Sequence, residues 1–141
     1  MQKLLVAVDG SKVSDRVVRF AAGLKKTNKD SFITLISVSY SGLEIQKYSL
    51  VDPDFINECN AQSQRAIEKA LEILKEEGVK PDLIENRHGE PATVISRLAK
   101  EEGYSMIVMG SRGLSDIKGF LLGSISHKVL HLAECPVVIV K

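Results

Sequence analysis

A glycine-rich stretch in the last third of the chain carries the clearest chemical pattern. Gly110 and Gly113 follow a short apolar run, and nine residues separate Gly113 from Gly123, which is followed by Ser124 and a helical pattern. The first turn of a helix presents unpaired N–H groups and partial positive charge, which suit a phosphate group. Glycine lets the main chain approach that phosphate without a Cβ atom in the way. The spacing therefore predicts a site for the phosphates of a nucleotide.

Charged and hydroxyl side chains near this stretch could complete such a site. Asp9 directly follows an apolar run and could hold a ribose hydroxyl or a phosphate-bound Mg²⁺, or it could cap the next helix. Arg112 could pair with a phosphate or remain in solvent. Ser124 and Ser126 supply hydroxyl groups at a helix start, where Ser124 could also serve as the N-cap.

Composition and charge exclude several classes of protein. A chain of 141 residues fits one domain, residues 1–141, with a substantial core. The formal net charge of +1 gives no electrostatic reason to expect nucleic acid as a partner. No apolar run approaches the roughly 20 residues that cross a bilayer, so no membrane partner is expected. Cys59 and Cys135 are isolated from each other and from any metal pattern, which predicts a cytoplasmic protein without disulfides, with Cys59 as a core thiol.

Strand and helix patterns alternate along the whole chain. The predicted strands cover residues 3–8, 31–38, 79–87, 104–109 and 135–141. Strands that alternate with helices form a parallel sheet covered on both faces by right-handed crossovers. We therefore predict an α/β fold with a single doubly wound, five-stranded parallel sheet and helices on both faces.

Capping residues and apolar stripes position the four predicted helices. The residues predicted to cap or begin helices are Ser11 or Ser14, Pro53 and Pro91. Gly78 is expected in the left-handed conformation that ends the second helix. The predicted buried faces include Phe20 in the first helix and Leu132 in the fourth.

The predicted sheet would bring remote segments to one crevice. Open parallel sheets bind ligands beyond the carboxyl ends of their strands, where the winding direction reverses. If the first and fourth strands are neighbours, Asp9 and Gly110 lie side by side at that point, and Val38 ends the flanking second strand.

Other nucleotide and hydrolase motifs are missing from the sequence. It contains no G-x-x-x-x-G-K-[ST], no G-x-G-x-x-G after the first strand and no G-x-S-x-G. His127 and His131 have a spacing that could bind a metal, but no third ligand accompanies them, so an ordinary helix surface is the favoured interpretation.

At this point the sequence resembles the universal stress protein family. Gly110, Gly113, Gly123 and Ser124 match the ATP-binding signature of that family without a departure. The resemblance covers the whole chain through further segments, which are Val6-Ala-Val-Asp-Gly-Ser11, Gly89-x-Pro91, Leu122-Gly-Ser-Ile-Ser-His127 and Cys135-Pro-Val137.

The resemblance implies a fold, a ligand and a set of binding residues. The implied fold is adenine nucleotide alpha hydrolase-like, with a sheet of order 3-2-1-4-5. The implied cofactor is ATP, and AMP or another adenine nucleotide is an alternative. Mg²⁺ or Mn²⁺ would accompany the nucleotide, and Asp9 would interact with the metal only as part of the metal–nucleotide complex. The implied binding residues are Ala7, Val8, Asp9, Val38, Met109, Gly110, Arg112, Gly113, Gly123, Ser124, Ile125 and Ser126.

Three functions from different classes stay open on the sequence. The leading one is an ATP-binding stress or signalling module that acts through contacts with a protein partner. The second is a slow ATP hydrolase or phosphotransfer enzyme, although no catalytic residue is identified. The third is a nucleotide-free dimeric scaffold.

Two further segments carry expectations about surfaces. Val137–Val140 forms an apolar edge strand in the implied order, which predicts a homodimer through this strand. The family resemblance implies the same pairing. Residues 39–52 are predicted to form a long loop, which is either a lid or a variable surface excursion.

Overall fold

A computed structural model describes residues 1–40, 53–113 and 122–141. The elements in chain order are β1 (Lys3–Ala7), α1 (Lys12–Thr27), β2 (Phe32–Ser39), α2 (Pro53–Glu76), β3 (Leu83–His88), α3 (Pro91–Glu101), β4 (Met106–Gly110), α4 (Ser124–Leu132) and β5 (Val137–Val140). The predicted loop at residues 39–52 lies, from residue 41 onward, outside the described residues.

All five strands are parallel, and their order is β3-β2-β1-β4-β5. The predicted α/β class and the order implied by the family resemblance are therefore confirmed. β1 lies at the centre because its run of branched apolar residues can be buried on both faces, and Leu4, Leu5 and Val6 are fully buried. The winding direction changes between β1 and β4, which is where an open sheet of this kind leaves a crevice.

Two hydrophobic cores cover the two faces of the sheet. On one face, α1 and α2 pack on β1 and β2 through residues such as Val17, Leu74 and Ile33. On the other face, α3 and α4 pack through residues such as Ile95 and Val129. Alternate residues of β1, β2, β4 and β5 supply the two cores, so the central strands are buried on both faces.

The predicted buried faces of α1 and α4 are confirmed at their centres, but one residue of each face is misplaced. Phe20 is 41% exposed, because the buried stripe of α1 centres on Val17, Val18 and Ala21. Leu132 is 45% exposed, while Val129 of the same predicted face is fully buried. Apolar spacing alone does not fix the margins of a buried face, and packing leaves these two side chains outside it.

Most predicted helix boundaries are confirmed. Ser11 is the N-cap of α1, and its hydroxyl accepts a hydrogen bond from the Ser14 amide, so Ser14 is not the cap. α2 begins at Pro53 and α3 has Pro91 in its first turn. Gly78 follows α2 with a φ of 69°, as the helix-ending conformation requires.

Polar contacts join the sheet to its surroundings at two further points. The Tyr104 hydroxyl donates to Thr34 Oγ1 at 2.8 Å in the interior, and burial raises the pKa of Tyr104. Asp82 accepts from the Ile33 amide at 2.8 Å and pairs with the ammonium of Lys25. Desolvation by burial opposes the charged form of Asp82, but these bonds outweigh it and lower the pKa of this carboxyl group.

The two cysteines are free and half-buried. The prediction that Cys59 is a core thiol is therefore wrong, since this end of α2 is only partly covered. Burial nevertheless raises the pKa of both the Cys59 and the Cys135 thiol, which keeps them protonated at neutral pH.

Candidate functional site

A cleft of about 550 Å³, measured out to open solvent, lies beyond the carboxyl ends of β1 and β4. The lining residues are Ala7, Val8, Asp9, Ser11, Ser14, Ile36, Val38, Pro91, Ile95, Met109, Gly110, Arg112, Gly113, Ile125 and Ser126. The structure thus brings the three remote segments of the sequence prediction to one place.

Of the residues implied by the family resemblance, only Gly123 and Ser124 do not line this cleft. They lie next to it, as the N-cap and the first residue of α4. The location of the residues agrees with the prediction, while their role in binding remains a prediction.

The turn between β1 and α1 holds Asp9 in a fixed orientation. Gly10 has a φ of 83°, a backbone conformation that other residues rarely adopt, and it reverses the chain directly after Asp9. Asp9 Oδ1 accepts from the Ser11 amide at 3.0 Å, and the Asp9 amide donates to Ser14 Oγ at 3.2 Å. Asp9 is therefore not the N-cap of α1, and its carboxylate stands at the cleft.

Hydrogen bonds tie the end of β4 to the start of α4. The Gly123 amide donates to the Ser111 carbonyl at 2.6 Å, and Ser126 Oγ donates to the Gly110 carbonyl at 2.8 Å. The Ser111 amide donates to the Val140 carbonyl at 2.8 Å, which fixes this turn to β5. The segment between these anchors, the predicted insert, lies outside the described residues from 114 to 121.

The N-cap residue of α4 is a glycine and not a serine. Gly123 is the N-cap, so the alternative in which Ser124 caps the helix is wrong. Glycine has no side chain, so the cap residue itself makes no bond to the first-turn N–H groups of α4. The exposed Arg112 also lines the cleft and adds a cation, next in sequence to Ser111, whose carbonyl bonds the Gly123 amide.

The opposite part of the cleft is apolar. Ile36, Val38, Ile95 and Met109 form its wall, together with Pro91 at the start of α3. Such a wall suits a flat, weakly polar group, whereas Asp9, Arg112 and the start of α4 suit hydroxyl groups and anions. The cleft therefore has two chemically different ends.

Glu90 shapes the edge of this apolar part. It is the N-cap of α3, and its carboxylate accepts from the Ala92 amide at 3.3 Å and the Thr93 amide at 2.8 Å. The Thr93 hydroxyl also donates to it, and Lys128 of α4 lies 3.2 Å away. Desolvation by burial disfavours the charge on Glu90, but the bonds from Thr93, Lys128 and Ala92 together lower the pKa of this carboxyl group.

Sequence reasoning missed several residues of this cleft. Neither Ile36 nor Ile95 is among the predicted site residues, and Pro91 was predicted only to begin a helix. The signal for Pro91 was its place after a strand, because every strand-to-helix turn of a parallel sheet opens at the same edge. Glu90 gave a weaker signal, since Ser, Thr, Asp and Asn are the usual N-caps.

The histidine pair of α4 does not form part of a larger cluster. The rings of His127 and His131 stack edge to face with centroids 4.7 Å apart. Within the described ranges, no group of three or more His, Cys, Asp or Glu side chains could hold a metal ion. Over those same ranges, no helix has both the length and the apolar character that crossing a membrane requires.

Comparison with known proteins identifies relatives over the whole chain. The model of the universal stress protein family matches residues 1–141. Universal stress protein YxiE of Bacillus subtilis is 37% identical, and the alignment covers 99% of this chain and 98% of YxiE.

Solved structures share the fold. Hypothetical protein MJ0577 is 30% identical with a TM-score of 0.76, and the match covers 99% of this chain and 95% of that one. The universal stress protein from Archaeoglobus fulgidus in complex with dAMP is 24% identical with a TM-score of 0.71, and the match covers 100% of this chain and 98% of that one. The family resemblance and the fold inferred from the sequence are both confirmed.

Proposed function

We propose that this chain, which belongs to the universal stress protein family, binds an adenine nucleotide in the cleft beyond β1 and β4. The bound nucleotide would change how the protein contacts a partner. The Archaeoglobus fulgidus relative holds dAMP in its solved structure, which supports an adenine nucleotide as the ligand class.

The division of the cleft into an apolar and a polar end carries this proposal. An adenine ring would lie against Ile36, Val38 and Ile95, with the main chain of Val38 reading the edge of the base. Asp9, flanked by Ala7 and Val8 at the end of β1, would accept hydrogen bonds from the ribose.

The polar end would receive the phosphates. Main-chain N–H groups of Ser124, Ile125 and Ser126 belong to the first turn of α4 and have no intrahelical acceptor. Met109 and Gly110 would border the ribose, while Arg112, Gly113 and Gly123 would border the phosphates. ATP with Mg²⁺ or Mn²⁺ is the ligand that we propose, and the metal would be held by the phosphates with Asp9 in reach.

Isothermal titration with adenosine, AMP and Mg-ATP tests the proposal. Arg112→Ala should weaken ATP about three- to tenfold, as expected for an exposed charge-assisted hydrogen bond, and leave adenosine nearly unchanged. Arg97→Ala is the matched control, because Arg97 is an exposed arginine of α3 that does not line the cleft. The absence of heat with every adenine nucleotide would refute the proposed function.

We also propose that two chains pair through β5. Ile107 donates to the Pro136 carbonyl and Ser111 donates to the Val140 carbonyl, so alternate residues of this strand face β4. By that alternation, the N–H groups of Val137 and Ile139 face the open edge. The strand carries no charge that would oppose pairing with a second copy.

Ile139→Pro should weaken this dimer, because it removes one N–H group at the open edge and leaves the bonds to β4 in place. Sedimentation over a range of concentrations would measure the dissociation constant. A wild-type chain that stays monomeric at all concentrations would refute the dimer without touching the nucleotide proposal.

The setting that we propose is the cytoplasm, where the two free thiols of Cys59 and Cys135 would remain reduced.

A further inference from the structure

Three helices begin around the cleft, and each begins with a potential anion site. α1, α3 and α4 follow β1, β3 and β4, and residues from the first turns of all three line the cleft. The unpaired N–H groups of a helix start carry partial positive charge. Charge attraction alone would thus offer a phosphate more than one position.

The caps of these helices differ in charge. Ser11 caps α1 with a neutral hydroxyl group that bonds the Ser14 amide. Glu90 caps α3 with a full negative charge on the Ala92 and Thr93 amides. Gly123 caps α4 and has no side chain that could bond the first-turn N–H groups. The three caps form a series in which α4 is the most open to an anion and α3 the least.

The Glu90 carboxylate is held in place from two helices. Oε2 accepts from the Thr93 amide and lies 3.2 Å from Nζ of Lys128, while Oε1 accepts from the Ala92 amide. These partners anchor the charge directly before Pro91, which lines the apolar end of the cleft. A phosphate at this helix start would have to displace a bonded carboxylate of like charge.

We propose that Glu90 is a positioning residue that sets the direction of the bound nucleotide. It closes the start of α3 to phosphate, so the base occupies the apolar end and the phosphates go to α4. This inference rests on the proposed nucleotide function and adds a residue outside the glycine signature that determines the orientation.

The test compares amide chemical shifts of the full chain with adenosine and with ATP. In the wild type, the difference between the two ligand-bound spectra should lie at Ser124, Ile125 and Ser126, and not at Ala92 or Thr93. In Glu90→Gln, which keeps an oxygen acceptor but removes the charge, the difference should extend to Ala92 and Thr93. Each comparison is made within one protein, so any structural effect of the substitution cancels.

Affinities give a second readout. Glu90→Gln should raise the ratio of ATP affinity to adenosine affinity about threefold, because a nearby negative charge is lost. Glu90→Asp retains both charge and cap and should behave as the wild type. Glu101→Gln, at the exposed opposite end of α3, makes the same change in net charge and should leave the ratio and the shift pattern unchanged.

The outcomes separate this inference from the function on which it rests. ATP-dependent shifts at Ala92 and Thr93 in the wild type, or an unchanged affinity ratio in Glu90→Gln, would overturn the role of Glu90 alone. The absence of shifts with both ligands in every protein would overturn the nucleotide function, and with it this inference.

Discussion

Replacing Gly110 with alanine should destabilise the fold through one identifiable contact. Gly110 ends β4 and lines the cleft, and a Cβ atom added there would lie 2.7 Å from Val13 Cγ1 of α1. Carbon atoms in contact normally lie about 3.5–4.0 Å apart, so the new methyl group would overlap by about 1 Å. The first turn of α1 packs against the main chain of β4 at this point, so a residue without a side chain is required.

The expected cost follows from what must move. Val13 belongs to a helix that is anchored in the hydrophobic core on one face of the sheet, so relief requires a displaced backbone or a strained rotamer. Overpacking of this kind costs about 1–3 kcal/mol. For a domain of this size that corresponds to a decrease in Tm of about 2–4 °C per kcal/mol.

A double-mutant cycle with Val13→Ala isolates the contact. Val13→Ala removes Cγ1, so Gly110→Ala should cost at least about 1 kcal/mol less in that background than in the wild type. Urea unfolding of the four proteins, followed by circular dichroism, gives the coupling free energy. If the two substitutions add independently, the overlap with Val13 is not the reason for glycine at this position.

Three further perturbations test other parts of the structure. Tyr104→Phe should lower the free energy of unfolding by about 1–2 kcal/mol, because it leaves the buried Thr34 hydroxyl without its partner. The double variant with Tyr104→Phe and Thr34→Val should recover part of this loss. Equal stability of Tyr104→Phe and the wild type in urea would contradict the prediction. Asp82 has a lowered pKa in the fold, so it contributes stability above its unfolded pKa of about 3.9, and this stability is lost as the pH falls through the folded pKa. Asp82→Asn should therefore flatten the dependence of the unfolding free energy on pH below about pH 5. Parallel pH profiles of the variant and the wild type would exclude this role of the carboxylate. Cys59 and Cys135 should react with iodoacetamide at neutral pH more slowly in the native protein than in urea, because burial raises the pKa of both thiols, and equal rates would show that the fold does not protect them.

The sequence was sufficient to predict the architecture because its signals are local and consistent. Strand patterns, Ser11 and Pro91 fixed the elements within a few residues, and their alternation predicted a parallel sheet. The strand order came from the family resemblance, since alternation of elements does not determine which strands are neighbours. Phe20 and Leu132 were misplaced because helical spacing does not fix the margins of a buried face until its packing partners are known.

The position of the candidate site was predicted from the sequence, but several of the residues that line it were not. Asp9, Val38 and Gly110 lie at or just beyond the carboxyl ends of three parallel strands, so the sheet necessarily brought them to one edge. Ile95 gave no comparable signal, because a cleft-lining face of α3 has the same apolar spacing as a core face. The contact between Glu90 of the α3 cap and Lys128 of α4 depends on the distance between the two helices, which no local sequence pattern encodes.

The two edges of the sheet differ in a way that bears on the proposed dimer. β3 carries Glu85 and Arg87 on its exposed edge, where they form an ion pair at 2.7 Å, and charged side chains oppose the pairing of edge strands. β5 has only branched apolar residues, all of them half-buried, and no charge among them. A free apolar edge attracts a second strand, and two copies that pair through β5 protect each other while each leaves its charged edge in water. The same sheet therefore has one edge whose charges oppose pairing and one apolar edge, which the proposed dimer would cover.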